Sequence, residues 1–153
     1  KKLADELRIH NYYDFDKIHN LLKQDDNLDS LIKYTLVGFQ KMKNDLVANN
    51  RSKARLYMLI GSWTESLYFL TYFAVLNPTD KLDQIIRDQS ENISKIISLL
   101  KIYENDKQCQ ILAVSLKKLA RSFEYAILKD KYSKEQLAVL HENIKTLRNE
   151  IIS

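Results

Sequence analysis

Two glycines and one proline are all that 153 residues contain. Sheet proteins use both residue types in their turns, so this stock excludes an all-β fold and points to long helices with short connections. A single cysteine, Cys109, excludes an internal disulfide and any multi-cysteine zinc site. Glycine-rich phosphate loops, nucleophile elbows and dinucleotide fingerprints are absent, and no cofactor is expected. Long hydrophobic runs are lacking as well. The best candidate for a membrane span, 56–76, is interrupted by Ser62, Thr64, Glu65, Ser66 and Thr71. Charge of one sign is not in excess either: 24 basic and 20 acidic residues give +4, with the signs interleaved. A dedicated nucleic-acid binder concentrates its basic residues on one face, so no specific nucleic-acid partner is expected.

What is present is a folded-protein composition, 45% apolar and 29% charged. The length suits one domain over 1–153, enough to bury roughly 70% of the surface its unfolded chain exposes. The opening Lys-Lys-Leu-Ala-Asp-Glu-Leu is already in helical pattern. It is expected to continue a helix from a longer or processed chain, with any signal or anchor upstream.

Start signals recur along the sequence. Asp14 caps a short helix over 15–23, after a loop at HNYYD (10–14) and the end of a helix over 2–9. Asn27 precedes an apolar face of Leu28, Leu31, Ile32, Thr35, Leu36, Phe39, Met42 and Leu46, and Ala48-Asn49-Asn50 breaks it. Asn50 or Ser52 caps the next helix. Asn77 with Pro78 reads as N-cap and first position of another. Asn105 with Gln108 and Ser133 with Gln136 read as capping boxes. Behind Ser133, Leu137, Leu140, Ile144, Leu147 and Ile151 follow at 4-3 spacing. Starts near 27, 52, 78, 106 and 133 with short links predict an all-α, up-and-down antiparallel bundle of about five long helices plus short N-terminal ones. A helical-repeat solenoid is the alternative.

Catalytic and metal constellations are sparse. The di-iron bundle enzymes need Glu-x-x-His pairs on two helices. The nearest approach is Asp16-x-x-His19, expected to be a solvated face. His10, His19 and His141 are the only histidines, and no metal site is expected from them. Cys109 lies on an apolar stripe and reads as a small core residue. No catalytic residue is assigned. A basic cluster has two readings. Lys41 and Lys43 close one helix, and Arg51, Lys53 and Arg55 open the next, where positive charge opposes the helix dipole. The 41–55 end, with Lys101 and Lys107, either binds an anionic surface or simply solubilises the tip.

The stretch LIGSWTESLYFLTY (59–72) holds the only tryptophan, Trp63, one of the two glycines, Gly61, and the sole charge between Leu56 and Thr79, Glu65. At 100° per residue Leu56, Leu59, Ile60, Trp63, Leu67, Leu70 and Ala74 form one face. Met58, Gly61, Ser62, Glu65, Tyr68, Phe69 and Tyr72 form another. Such a helix is expected to be internal, with Gly61 and Ser62 admitting a neighbouring backbone and Gly38 doing the same in the preceding helix. Glu65 either pairs with a cation or tyrosine on another helix, or lines a ligand site with Tyr68, Tyr72 and Trp63.

GSWTESLYFLTYFA resembles the Gly-x-Trp-(I/T)-Glu-x-Leu-Tyr segment of an uncharacterised family of helical lipoproteins and secreted proteins from gut-type bacteria. KKLADELRI (1–9) resembles that family's KKLADELGI segment, with Arg8 in place of its glycine. The resemblance implies a helical domain of the periplasm or cell envelope, anchored ahead of Lys1, with a cytoplasmic location as the alternative. It carries over no catalytic residue. The expected function is non-enzymatic: interaction with a protein or small-molecule partner, or, as the alternative, a small-molecule or lipid-binding sensor bundle using the Glu/Tyr face.

Overall fold

Every element of the protein, a computed structural model describing residues 12–23, 28–127 and 131–152, is helical. The helices are α1 (Phe15–Leu22), α2 (Leu28–Ala48), α3 (Ser52–Leu76), α4 (Asp80–Leu100), α5 (Lys107–Ile127) and α6 (Lys134–Ile152). A 3-10 turn at Lys101–Tyr103 extends α4. Among the described residues there is no strand, and no helix is long and apolar enough to cross a membrane. The all-α expectation therefore holds. The readings made at 2–9, at His10 and at Asn27 lie outside the described residues. The chain divides into two compact units, Lys1–Arg55 and Leu56–Ser153.

In the first unit Asp14 caps α1 as expected, its Oδ1 accepting from the Lys17 N–H at 3.0 Å. Gly38 on α2 explains how 12–13 lies so close. A Cβ there would sit 2.5 Å from the Tyr13 ring and 2.9 Å from the Tyr12 carbonyl. The Tyr34 hydroxyl then accepts the Asp14 N–H at 2.9 Å. Of the apolar face read on α2, Leu46 is buried, but Ile32 and Leu36 are exposed. Asn50 ends α2 rather than starting α3. It takes the left-handed conformation, φ 53°, and the Arg51 N–H reaches back to the Leu46 carbonyl at 2.8 Å. This is a Schellman closure, a geometry asparagine tolerates well.

The second unit is built on four apolar stripes. From α3 come Leu56, Ile60, Thr64, Leu67, Thr71 and Ala74. From α4 come Ile86, Ile93, Ile96 and Leu100. Cys109, Leu116, Leu119 and Phe123 come from α5, and Leu137, Leu140, Ile144 and Leu147 from α6. Polar contacts give the directions. The Tyr57 hydroxyl, early in α3, lies 3.4 Å from Asp106 and 3.3 Å from Cys109 at the start of α5. The Tyr132 N–H, just before α6, donates to Asp83 in the first turn of α4 at 2.9 Å. Glu65 and Thr71 of α3 meet Arg148 and His141 of α6 in reversed order. The four helices thus alternate up and down, and the last returns to the first. That closure excludes the open solenoid for this unit.

Helix boundaries show where local signals compete. The Ser133 box is complete: its N–H donates to Gln136 Oε1 at 2.7 Å, and its Oγ accepts the Gln136 N–H at 3.2 Å. At the other two starts the cap is displaced. Asn77 belongs to the end of α3, donating to the Phe73 carbonyl at 2.8 Å. Pro78 has no N–H to continue that helix, and Thr79 is the cap of α4, accepting from Leu82 N–H. Asp106, not Asn105, caps α5, its Oδ1 accepting from the Cys109 N–H at 3.0 Å.

The two glycines do opposite things. Gly38 is needed for close approach, but among the described residues a Cβ at Gly61 would meet nothing within 4 Å, so no neighbouring backbone of theirs uses that gap. Neither glycine has a positive φ. Gly61→Ala should therefore raise stability by roughly 0.5–1 kcal/mol by removing a helix-interior glycine. Gly38→Ala should lower it, because the Tyr12 carbonyl is backbone and cannot swing aside. Urea denaturation of both variants checks this, and a destabilised Gly61→Ala would contradict the open space at that position.

Candidate functional site

Glu65 has a protein partner. Arg148, 83 residues away on α6, donates Nε to Oε2 at 2.5 Å and Nη2 to Oε1 at 3.0 Å. A guanidinium fork matches a carboxylate in this two-bond geometry. Donating to the Glu65 carboxylate holds the arginine still more firmly in its charged form. The same guanidinium lies 5.0 Å over the Tyr68 ring, a cation–π placement. The structural reading of Glu65 thus has its partner, which nothing near residue 65 announces.

The seam continues toward the other end of α3. The Tyr68 ring is 4.9 Å from His141, and Tyr72 is 5.9 Å from it. Thr71 Oγ1 donates to the Leu67 carbonyl at 2.9 Å and lies 3.0 Å from His141 Nδ1. A hydroxyl has one proton, so the arrangement that satisfies both groups puts the imidazole proton on Nδ1, donating to Thr71. Burial pushes the His141 pKa below its ordinary value, with Glu142 opposing and Lys145 reinforcing the shift. In the sequence His141 stands only as one of three histidines from which no metal site is expected. Its signal was the seven-residue spacing to Arg148, which puts both on one face of α6.

Glu65, Tyr68 and Tyr72 are therefore brought together, and Trp63 is not. Trp63 faces α4, donating from Nε1 to Gln89 Oε1 at 3.1 Å, an oxygen that Asn92 also reaches. Cys109 is buried in the core. Asp16 and His19 are both exposed on α1. Arg51, Lys53 and Arg55 are exposed where α3 begins, and Lys41 and Lys43 are exposed late in α2. Asp45 adds an acid there, accepting the Tyr12 hydroxyl and raising its pKa, while Arg51 pulls the same pKa down.

The face of α3 opposite the core corrects the expectation of an internal helix. Leu59, Ser66, Phe69, Tyr72, Phe73 and Leu76 are exposed. The one charge that projects among these positions, Glu65, is bound to Arg148 of α6. The expectation failed because an apolar sequence on all sides was read as burial on all sides. Burial needs neighbours, and the second unit supplies them on the core side and along the seam with α6.

Two outcomes follow from the seam. Arg148→Met and Glu65→Gln should each lower stability slightly, because the two side chains keep 32% and 41% of their surface in water and such pairs are weak. Combined, they should cost less than the two single effects added, and strict additivity in a double-mutant cycle would contradict a direct pair. The depressed pKa of His141 means that the unfolded chain binds its proton more readily. Its contribution to stability should be full above about 6.5 and lost as pH falls through the lower folded value. Denaturation midpoints against pH should show this slope in the wild type and a weaker one in His141→Gln.

No protein-family model, curated protein or solved structure matches the chain.

Proposed function

We propose that this chain is a non-enzymatic helical-bundle domain of the bacterial cell envelope that works by protein interaction, through the outer face of α3. One observation carries this: Leu59, Phe69, Tyr72, Phe73 and Leu76 form an exposed apolar row along one helix. Single exposed apolar residues are ordinary, but Phe69, Tyr72, Phe73 and Leu76 adjoin one another on one face, and such a cluster of large ones marks an interaction surface. Aromatic residues are enriched at such surfaces because they offer much contact area for little conformational entropy. The polar side chains nearby support the non-enzymatic part. Glu65 is neutralised by Arg148, and His141 is held by Thr71 between two tyrosine rings.

The sensor-bundle alternative has less support, since the Glu65 carboxylate is already taken by an arginine. The envelope location rests on the resemblance carried by GSWTESLYFLTYFA and KKLADELRI. Fractionation of producing cells tests it, with recovery in the cytosolic fraction as the contrary result. For the interaction itself, a photo-crosslinking residue at Phe73 should yield covalent adducts in producing cells. The same residue at Lys95, on an exposed charged face of α4, should not. Absence of adducts at position 73 would contradict an interaction surface there.

A further inference from the structure

The outer face of α3 is self-complementary, and we infer that its partner is a second copy of this chain. The inference rests on the proposal that this face is an interaction surface. Turned antiparallel about a two-fold axis between positions 66 and 69, the helix pairs Leu59 with Leu76, Ser62 with Phe73, and Ser66 with Phe69 of the other copy. Each small residue then meets a large one, and the end leucines meet each other. A two-fold interface requires this reciprocity, since whatever position 62 does to 73 is repeated by 73 to 62. In a parallel arrangement the phenylalanines would face their own copies and the serines would leave gaps.

Electrostatics allow the pairing. The one charge on this face, Glu65, is paired with Arg148 in its own copy, so no unpaired charge meets its duplicate. The rim has Glu65 bound to Arg148 on one side and Trp63 bound to Gln89 on the other, both with partners in their own copy. An apolar centre with a satisfied polar rim is the usual anatomy of a protein interface.

Area sets the strength. The five large side chains are between 43% and 64% exposed. At about 200 Å² for a full side chain they offer roughly 500 Å² per copy, or about 1,000 Å² across a pair. That meets the lower size limit of about 1,000 Å² for a specific interface. A pair of that size belongs with the small interfaces that exchange, not with the obligate ones.

Sedimentation equilibrium of the full chain, from low micromolar to millimolar concentration, should show a monomer–dimer equilibrium. Phe69→Ser with Phe73→Ser should shift it to monomer while leaving the helical circular dichroism unchanged. Geometry gives a second, independent readout. In the antiparallel pair the two copies of position 66 are offset by three residues, about 4.5 Å along the axis, whereas the two copies of position 77 are about 28 Å apart. Ser66→Cys should therefore form an intermolecular disulfide under mild oxidation and Asn77→Cys should not, with Cys109 silent because it is buried. A chain that stays monomeric throughout, a dimer that survives the double serine variant, or crosslinking at 77 as readily as at 66 overturns the inference. If the chain is monomeric but position 73 crosslinks in cells to something other than its own mass, the interaction surface stands and the second copy does not. If there is neither dimer nor adduct, both fail.

Discussion

The second unit depends on one constraint: four helices, each apolar on a single stripe, must turn those stripes toward one another. On α3 the stripe runs from Leu56 to Ala74 and includes Thr64 and Thr71, both almost wholly buried. Burial of apolar surface at about 25 cal/mol per Å² is the dominant favourable term, and the polar contacts are arranged around it. Thr71 returns its hydroxyl to the Leu67 carbonyl, one way a buried threonine avoids a desolvation cost. Thr64 Oγ1 has no partner among the described residues and is a small expense of the same core. Asp83 is buried as well, and it ties the segment before α6 to the start of α4 through the Tyr132 N–H, with Arg87 2.9 Å from its other oxygen.

Closure of the bundle sorts the remaining chemistry. Once α6 returns to α3, Glu65 faces Arg148 and Tyr68 faces His141. Residues that offer a ligand site in the sequence become a seam between the first and last helices of the unit. The Glu65 pair keeps 32–41% of its side-chain surface in water and adds little to stability. Its value lies in register: two forked hydrogen bonds allow one alignment of α3 on α6, and the Thr71–His141 contact repeats that alignment two turns further along.

Much of this was legible in sequence because helices announce themselves locally. The scarcity of glycine and proline, the Asp14 cap, the Ser133–Gln136 box and the 4-3 spacing of Leu137, Leu140, Ile144 and Leu147 all read correctly. The errors arose where two local signals competed, as at Asn77-Pro78-Thr79, where a proline that stops one helix was read as starting the next. They also arose where the answer was not local. Arg148 lies too far along the chain for Glu65 to name it, and only the closed bundle brings them together. Gly61 and the outer face of α3 misled for one shared reason: periodicity shows which residues share a face, and says nothing of whether another helix covers it.

The central claim is that α3 carries two apolar faces with separate duties, one for folding and one for association. The most direct measurement is the unfolding free energy of the dilute chain after cutting back each face in turn. Leu67→Ala, on the core side, is expected to cost about 2–5 kcal/mol, as buried leucines do. Phe73→Ser, on the outer side, is expected to change it by no more than about 0.5 kcal/mol, as exposed positions do. Comparable losses at the two positions would mean that the outer face serves the fold, and would contradict the division.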